Sequence, residues 1–124
     1  MNAIELARQA YAPSSFHLKT DRKVEAEAIG KITARLRSAD SNKDRNFPAL
    51  VTALHDNRRL WNTLAVDVIG ADNELPEQLR AQIFYLAEFT ELYSAKVLKG
   101  EADATALIEV NTSVMRGLNA EMSK

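Results

Sequence analysis

NFPALVTALHDNRRLWNTLAVDV, residues 46–68, decides how the rest of the 124-residue chain is read. Leu50, Val51, Leu54, Trp61, Leu64, Ala65 and Val68 recur at intervals of three and four, the period of a helix with one apolar side. Asn46 stands where an N-cap accepts from the first helical amides. Pro48 is tolerated in a first turn, and Gly70 marks the stop. No run of strict alternation longer than a few residues occurs elsewhere, so the same reading extends in both directions.

Downstream, Pro76 suits a first helical position. Leu79, Ile83, Leu86, Ala87, Thr90, Tyr93 and Val97 form the next stripe, closed by Lys96, Lys99 and Gly100. Asp103 caps a further helix with Ala104, Leu107, Ile108, Val114, Met115 and Leu118 on one side, and its tail frays from Asn119. Upstream, a helix over 20–39 begins at Thr20 and carries Val24, Ala28, Ile29, Ile32, Leu36 and Ala39. Gly30 lies inside it, at a cost of about 1 kcal/mol against Ala, as expected where another helix approaches closely. A short helix over 2–12 ends at Pro13-Ser14-Ser15, with Phe16 to Lys19 as connector. Short loops favour antiparallel neighbours. The expected fold is all-α: a single domain over 1–124, a bundle of about five helices with the short N-terminal one docked on a four-helix core.

Composition agrees and removes whole classes of function. The chain is 46% hydrophobic, enough for a core, with four glycines and three prolines, too few for a turn-rich β fold. Sixteen basic against seventeen acidic residues leave a formal charge of −1, which argues against broad nucleic-acid binding. The absence of cysteine excludes disulfides, Cys-based zinc or iron–sulfur sites and thiol catalysis. No apolar run approaches the roughly 18 residues of a membrane span. The first dozen residues, with Glu5 and Arg8, do not read as a secretory signal. A cytoplasmic protein without membrane contact is expected.

The two histidines, His17 and His55, are far apart, and Asp56 beside His55 points about 100° away on a helix, so no metal site forms there. Zinc-protease, phosphate-loop and serine-hydrolase motifs are missing. No enzyme activity, metal or cofactor is expected. Two polar interruptions stand out: Asn57 and Arg58 between Leu54 and Trp61, and Asn111 between Ile108 and Val114. They fit either a satisfied polar layer that fixes helix register or, for Asn57, Arg58 and Asn62, a contact reaching a partner through a gap. Tyr85, Phe89 and Leu92 fall on a second side of their helix. That side is either central in the bundle or a binding face.

One succession is more specific than periodicity. Leu54-His55-Asp56-Asn57-Arg58-Arg59-Leu60-Trp61 leads to Leu64-Ala65-Val66-Asp67-Val68, and then to Leu75-Pro76-Glu77-Gln78-Leu79-Arg80-Ala81-Gln82-Ile83-Phe84-Tyr85-Leu86-Ala87-Glu88-Phe89. Ala10-Tyr11 and Ala34-Arg35-Leu36 precede it. Leu107-Ile108-Glu109-Val110-Asn111 and Met115-Arg116-Gly117-Leu118 follow. In order, spacing and length this resembles the flagellar biosynthesis regulator FlaF family of alphaproteobacteria, which is distinct from the archaeal surface-filament protein of the same name.

The resemblance implies a non-enzymatic, cytoplasmic role in flagellum assembly and motility. The chain would bind flagellin as a secretion chaperone and assembly regulator required for flagellin synthesis and export. The alternative it implies is post-transcriptional control of flagellin mRNA together with the partner regulator FlbT. Direct RNA contact is disfavoured by the balanced charge. Flagellin polymerises through terminal amphipathic helices, and a helical bundle can cover one in a groove. The partner-binding residues expected are Asn57, Arg58, Trp61, Leu79, Gln82, Tyr85, Glu88 and Phe89. Arg58 and Gln82 would orient the partner, and Trp61, Tyr85 and Phe89 would supply area.

Overall fold

Four helices are present among the described residues: α1 (Ser14–Ser41), α2 (Phe47–Val68), α3 (Glu77–Leu98) and α4 (Thr105–Met122). The structure is a computed structural model that describes residues 14–70 and 72–122, with side chains over 23–70 and 72–118. There is no strand among the described residues. The expected helix over 2–12 lies outside them. Short loops return the chain after each helix, and α1–α2, α2–α3, α3–α4 and α4–α1 all touch, which closes an up-and-down ring. The packing is uneven: α1 lies most closely along α4, and α3 touches α4 least.

The helix ends are set by the residues that the sequence places there. Asn46 Oδ1 accepts from Ala49 N at 3.2 Å, with Pro48 in the first turn of α2. α3 begins at Glu77, so Pro76 is its N-cap, one position before the expected place. α3 stops at Gly100, whose φ of 76° admits a residue without Cβ. Glu101 N and Gly100 N then reach back to the carbonyls of Lys96 and Val97, both at 3.0 Å. Asp103 Oδ1 accepts from Thr105 N at 3.0 Å at the start of α4, and Ala104 N donates to Asp40 Oδ1 of α1 at 3.2 Å. The Thr105 amide holds the Asp103 carboxyl below its ordinary value.

Four expectations are corrected. α1 runs unbroken from Ser14, so Ser14 and Ser15 do not end a helix, residues 16–19 are not a connector and Thr20 is not a cap. Proline restricts the residue before it rather than those after it, and Phe16 to Lys19 contain no breaker. α4 stays helical to Met122 instead of ending at Asn119. The buried stripe of α1 also differs: Val24 is exposed, and the side facing the bundle runs Ala26, Ile29, Thr33, Leu36, Ala39. On α2, Val51 is likewise exposed and Ala53 takes the inward place. Gly30 does mark a close approach, because a Cβ there would stand 3.4 Å from Met115 Sδ of α4.

The core divides into two apolar clusters. One gathers Ile29, Trp61, Leu64, Val68, Ile83, Val114 and Leu118, with Leu75 from the loop. The other gathers Leu36, Leu50, Leu54, Val97, Ala104 and Leu107. Between them every helix contributes buried polar side chains: Thr33 from α1, Asn57 from α2, Thr90 and Ser94 from α3, and Asn111 from α4. The polar layer read from the two asparagines is therefore present, and it is wider than the sequence indicated.

Candidate functional site

The polar layer is the most constrained chemistry in the molecule. Asn111 is its hub. Its Nδ2 donates to Asn57 Oδ1 at 2.8 Å and to Thr33 Oγ1 at 3.1 Å. Its Oδ1 accepts from Trp61 Nε1 at 2.8 Å. Thr33 Oγ1 in turn donates to the Ile29 carbonyl at 2.6 Å. Three helices are thereby tied through one amide. The α3 side of the layer is different: Thr90 Oγ1, Ser94 Oγ and Asn57 Nδ2 are buried without a partner among the described residues.

This layer takes two of the eight residues expected to contact a partner. Asn57 and Trp61 are fully buried, with Asn57 Oδ1 and Trp61 Nε1 both bonded to Asn111, so they offer no surface. Arg58 points outward and binds Glu91 of α3 through both ends of its guanidinium, with Nε to Oε2 at 3.1 Å. That hydrogen bond holds the Arg58 pKa above its ordinary value and the Glu91 carboxyl below its own. Leu79 is half-buried and packs on the first cluster. Phe89 is half-buried against the second cluster and stacks on Tyr93, with ring centroids 5.2 Å apart. Gln82, Tyr85 and Glu88 are exposed.

The surface that remains is the outer side of α3. Helical spacing puts Ala81, Tyr85, Glu88, Leu92 and Lys96 along it, opposite the buried Ile83, Ala87 and Thr90. Tyr85 is 67% exposed and Leu92 72%, large for a tyrosine and a leucine in a small domain. Beside this ridge, α2 and α3 leave a groove of about 410 Å³ lined by Asn62, Ala65, Phe84, Ala87, Glu88, Glu91 and Leu92. Val66 and Ile69, also exposed, follow Asn62 by four and seven residues and so extend the same side of α2. Five large apolar side chains thus belong to one region, which the sequence showed only through Tyr85, Phe89 and Leu92.

A second depression, between α1 and α2, escaped sequence reasoning. It measures about 770 Å³, and its floor is made of small side chains: Ala34 and Ser38 on α1, Ala49 and Ala53 on α2. Arg35 spans its rim to Asp56 at 4.0 Å. Paired small residues four apart are the signal that could have found it. Neither depression carries the makings of a metal centre: no group of three His, Asp or Glu side chains suited to a metal occurs among the described residues. No described helix is long and apolar enough to cross a membrane.

Comparison with known proteins agrees with the sequence resemblance. The family model for the flagellar protein FlaF matches residues 7–118. No match was found among the curated proteins or among the solved structures.

Proposed function

The chain belongs to the FlaF family of flagellar proteins, with a role in flagellar assembly, and on that footing we propose that it is a cytoplasmic chaperone that binds flagellin on the outer side of α3. The observation that carries this reading is the exposure of Tyr85 and Leu92, two turns apart on a helix whose other side is already buried. A lone helix of flagellin exposes an apolar stripe until it assembles. Anchors at helical spacing suit such a stripe, with Phe84 and the α2–α3 groove beside them. Gln82 and Glu88, exposed on either flank, can bond the polar edge of the bound helix. Asn57 and Trp61 keep α2 in place rather than touch the partner.

Calorimetry of the full chain with monomeric flagellin tests the reading. Tyr85→Ala together with Leu92→Ala is expected to weaken binding about a hundredfold, as for two interface anchors, with an unchanged melting temperature because neither side chain is in the core. Undiminished affinity would remove this face from the function. No binding of flagellin by the wild-type chain would remove the partner and turn attention to FlbT or the flagellin transcript.

A further inference from the structure

The outer side of α3 is acidic at its N-terminal end and basic at its C-terminal end, with Tyr85 and Leu92 on either side of Glu88 between them. From its N-terminal end it runs Glu77, Ala81, Tyr85, Glu88, Leu92 and Lys96, with Lys99 just beyond, all exposed. A second copy laid antiparallel, with its Leu92 opposite Tyr85, brings Tyr85 opposite its own Leu92 by symmetry. The same register sets Ala81 under the stem of Lys96 and Glu77 beside Lys99, twice over. A twofold interface requires this kind of self-complementarity, in which one patch supplies both halves of every contact. Neither Glu77 nor Lys99 forms an ion pair among the described residues, and both stand free for the pairing.

We infer that the free protein covers its α3 face with the same face of a second copy, antiparallel about an axis near Glu88, and that flagellin must displace this copy to bind. The inference rests on the reading of α3 as the flagellin-binding face and adds how that face is regulated. Glu88 approaches its own counterpart near the axis, so like charges weaken the pair, and a weak pair gives way to a partner that brings a longer apolar stripe. Binding of flagellin then depends on protein concentration as well as on affinity.

Sedimentation equilibrium of the full chain over a wide concentration range, at low salt, is the test. A reversible monomer–dimer equilibrium is expected. Leu92→Asp is expected to leave monomer throughout, with circular dichroism at a concentration where the wild type is also monomeric confirming an unaltered melting curve. Glu77→Lys and Lys99→Glu should each weaken the dimer about tenfold, because the axis doubles every change, and the two together should restore it to within about threefold of wild type. A wild-type monomer at every concentration, or a double variant no better than the singles, would overturn the inference. Added monomeric flagellin should convert the dimer to a one-to-one complex, and flagellin bound to an intact dimer would also overturn it. If neither the wild type nor Glu77→Lys binds flagellin while the charge swap behaves as stated, self-pairing stands and the functional reading falls.

Discussion

α4 is held in the bundle by Asn111, which uses both amide hydrogens and its oxygen on Asn57, Thr33 and Trp61. α3 brings Thr90 and Ser94 to the same polar layer, and neither hydroxyl has a partner among the described residues. The packing follows the same division, close between α1 and α4 and sparse between α3 and α4. α3 is therefore retained by Ile83, Ala87 and Val97 on its inner side and by the Arg58–Glu91 pair at its edge. The helix least committed to the core is also the one with apolar groups on its outer side. A surface meant for exchange with a partner belongs on such a helix, because its contacts can adjust without dismantling the hub.

The largest effect should come from breaking the hub. Asn111→Ala strands Trp61 Nε1 and Asn57 Oδ1 inside the core, and a loss of about 3 kcal/mol is expected from urea denaturation. Asn57→Ala should cost less, because its Nδ2 has no partner among the described residues and only its Oδ1 is lost to Asn111. Equal costs for the two variants would mean that the layer has no single centre. Trp61→Phe comes next, at about 2 kcal/mol, since it keeps most of the ring's packing and removes the donor to Asn111 Oδ1.

The Arg58–Glu91 pair ranks below these, because both side chains are partly in water. Glu91→Gln is expected to cost about 0.5 kcal/mol near neutral pH. The sign of its pH dependence is fixed. The Glu91 carboxyl is held below its ordinary value by the hydrogen bond from Arg58, so the stabilisation is present above the unfolded value and disappears as the pH falls through the folded one. The stability gap between wild type and Glu91→Gln should close over the range from the ordinary glutamate value down through the lowered folded one. A gap that persists below this range would show that the pair is not what Glu91 contributes.

How far the sequence reached follows the same division. α2 and α4 were legible because most of their large apolar residues recur on one side, Val51 of α2 being an exception, and Asn46 and Asp103 announce their starts. α1 was less so: Ala26, Ala28 and Ala34 lie on several sides, and small side chains do not tell a buried stripe from its neighbour, which is why Val24 was placed inward and Thr33 was not. The apolar surplus on α3 was read from Tyr85, Phe89 and Leu92, of which Phe89 is half-buried against the second cluster. Trp61 was assigned to the same surface because a bulky aromatic beside Asn57 and Arg58 has one appearance in a sequence whether it points in or out. Only the long-range bond to Asn111, fifty residues away, decides its direction. Thr90 was counted in its stripe and Ser94 was not, because a hydroxyl in a helix reveals its burial only through what packs over it.

The smallest expected effect, at Thr90, separates the two helices most directly when it is set beside the same exchange at Thr33. Threonine and valine have nearly the same shape and the same branching at Cβ, so exchanging them leaves packing and helix propensity almost unchanged and removes only the hydroxyl. At Thr33 the hydroxyl accepts from Asn111 and donates to the Ile29 carbonyl, and Thr33→Val should cost about 1.5 kcal/mol. At Thr90 the hydroxyl is buried with no hydrogen-bond partner among the described residues, so Thr90→Val should leave stability within about 0.5 kcal/mol of wild type or raise it. Urea midpoints for the two variants, at equal slopes, measure this difference without reference to any other contact. Equal losses at both positions would mean that α3 is bound into the polar layer as firmly as α1. The outer side of α3 would then need another account of why Tyr85 and Leu92 remain in solvent.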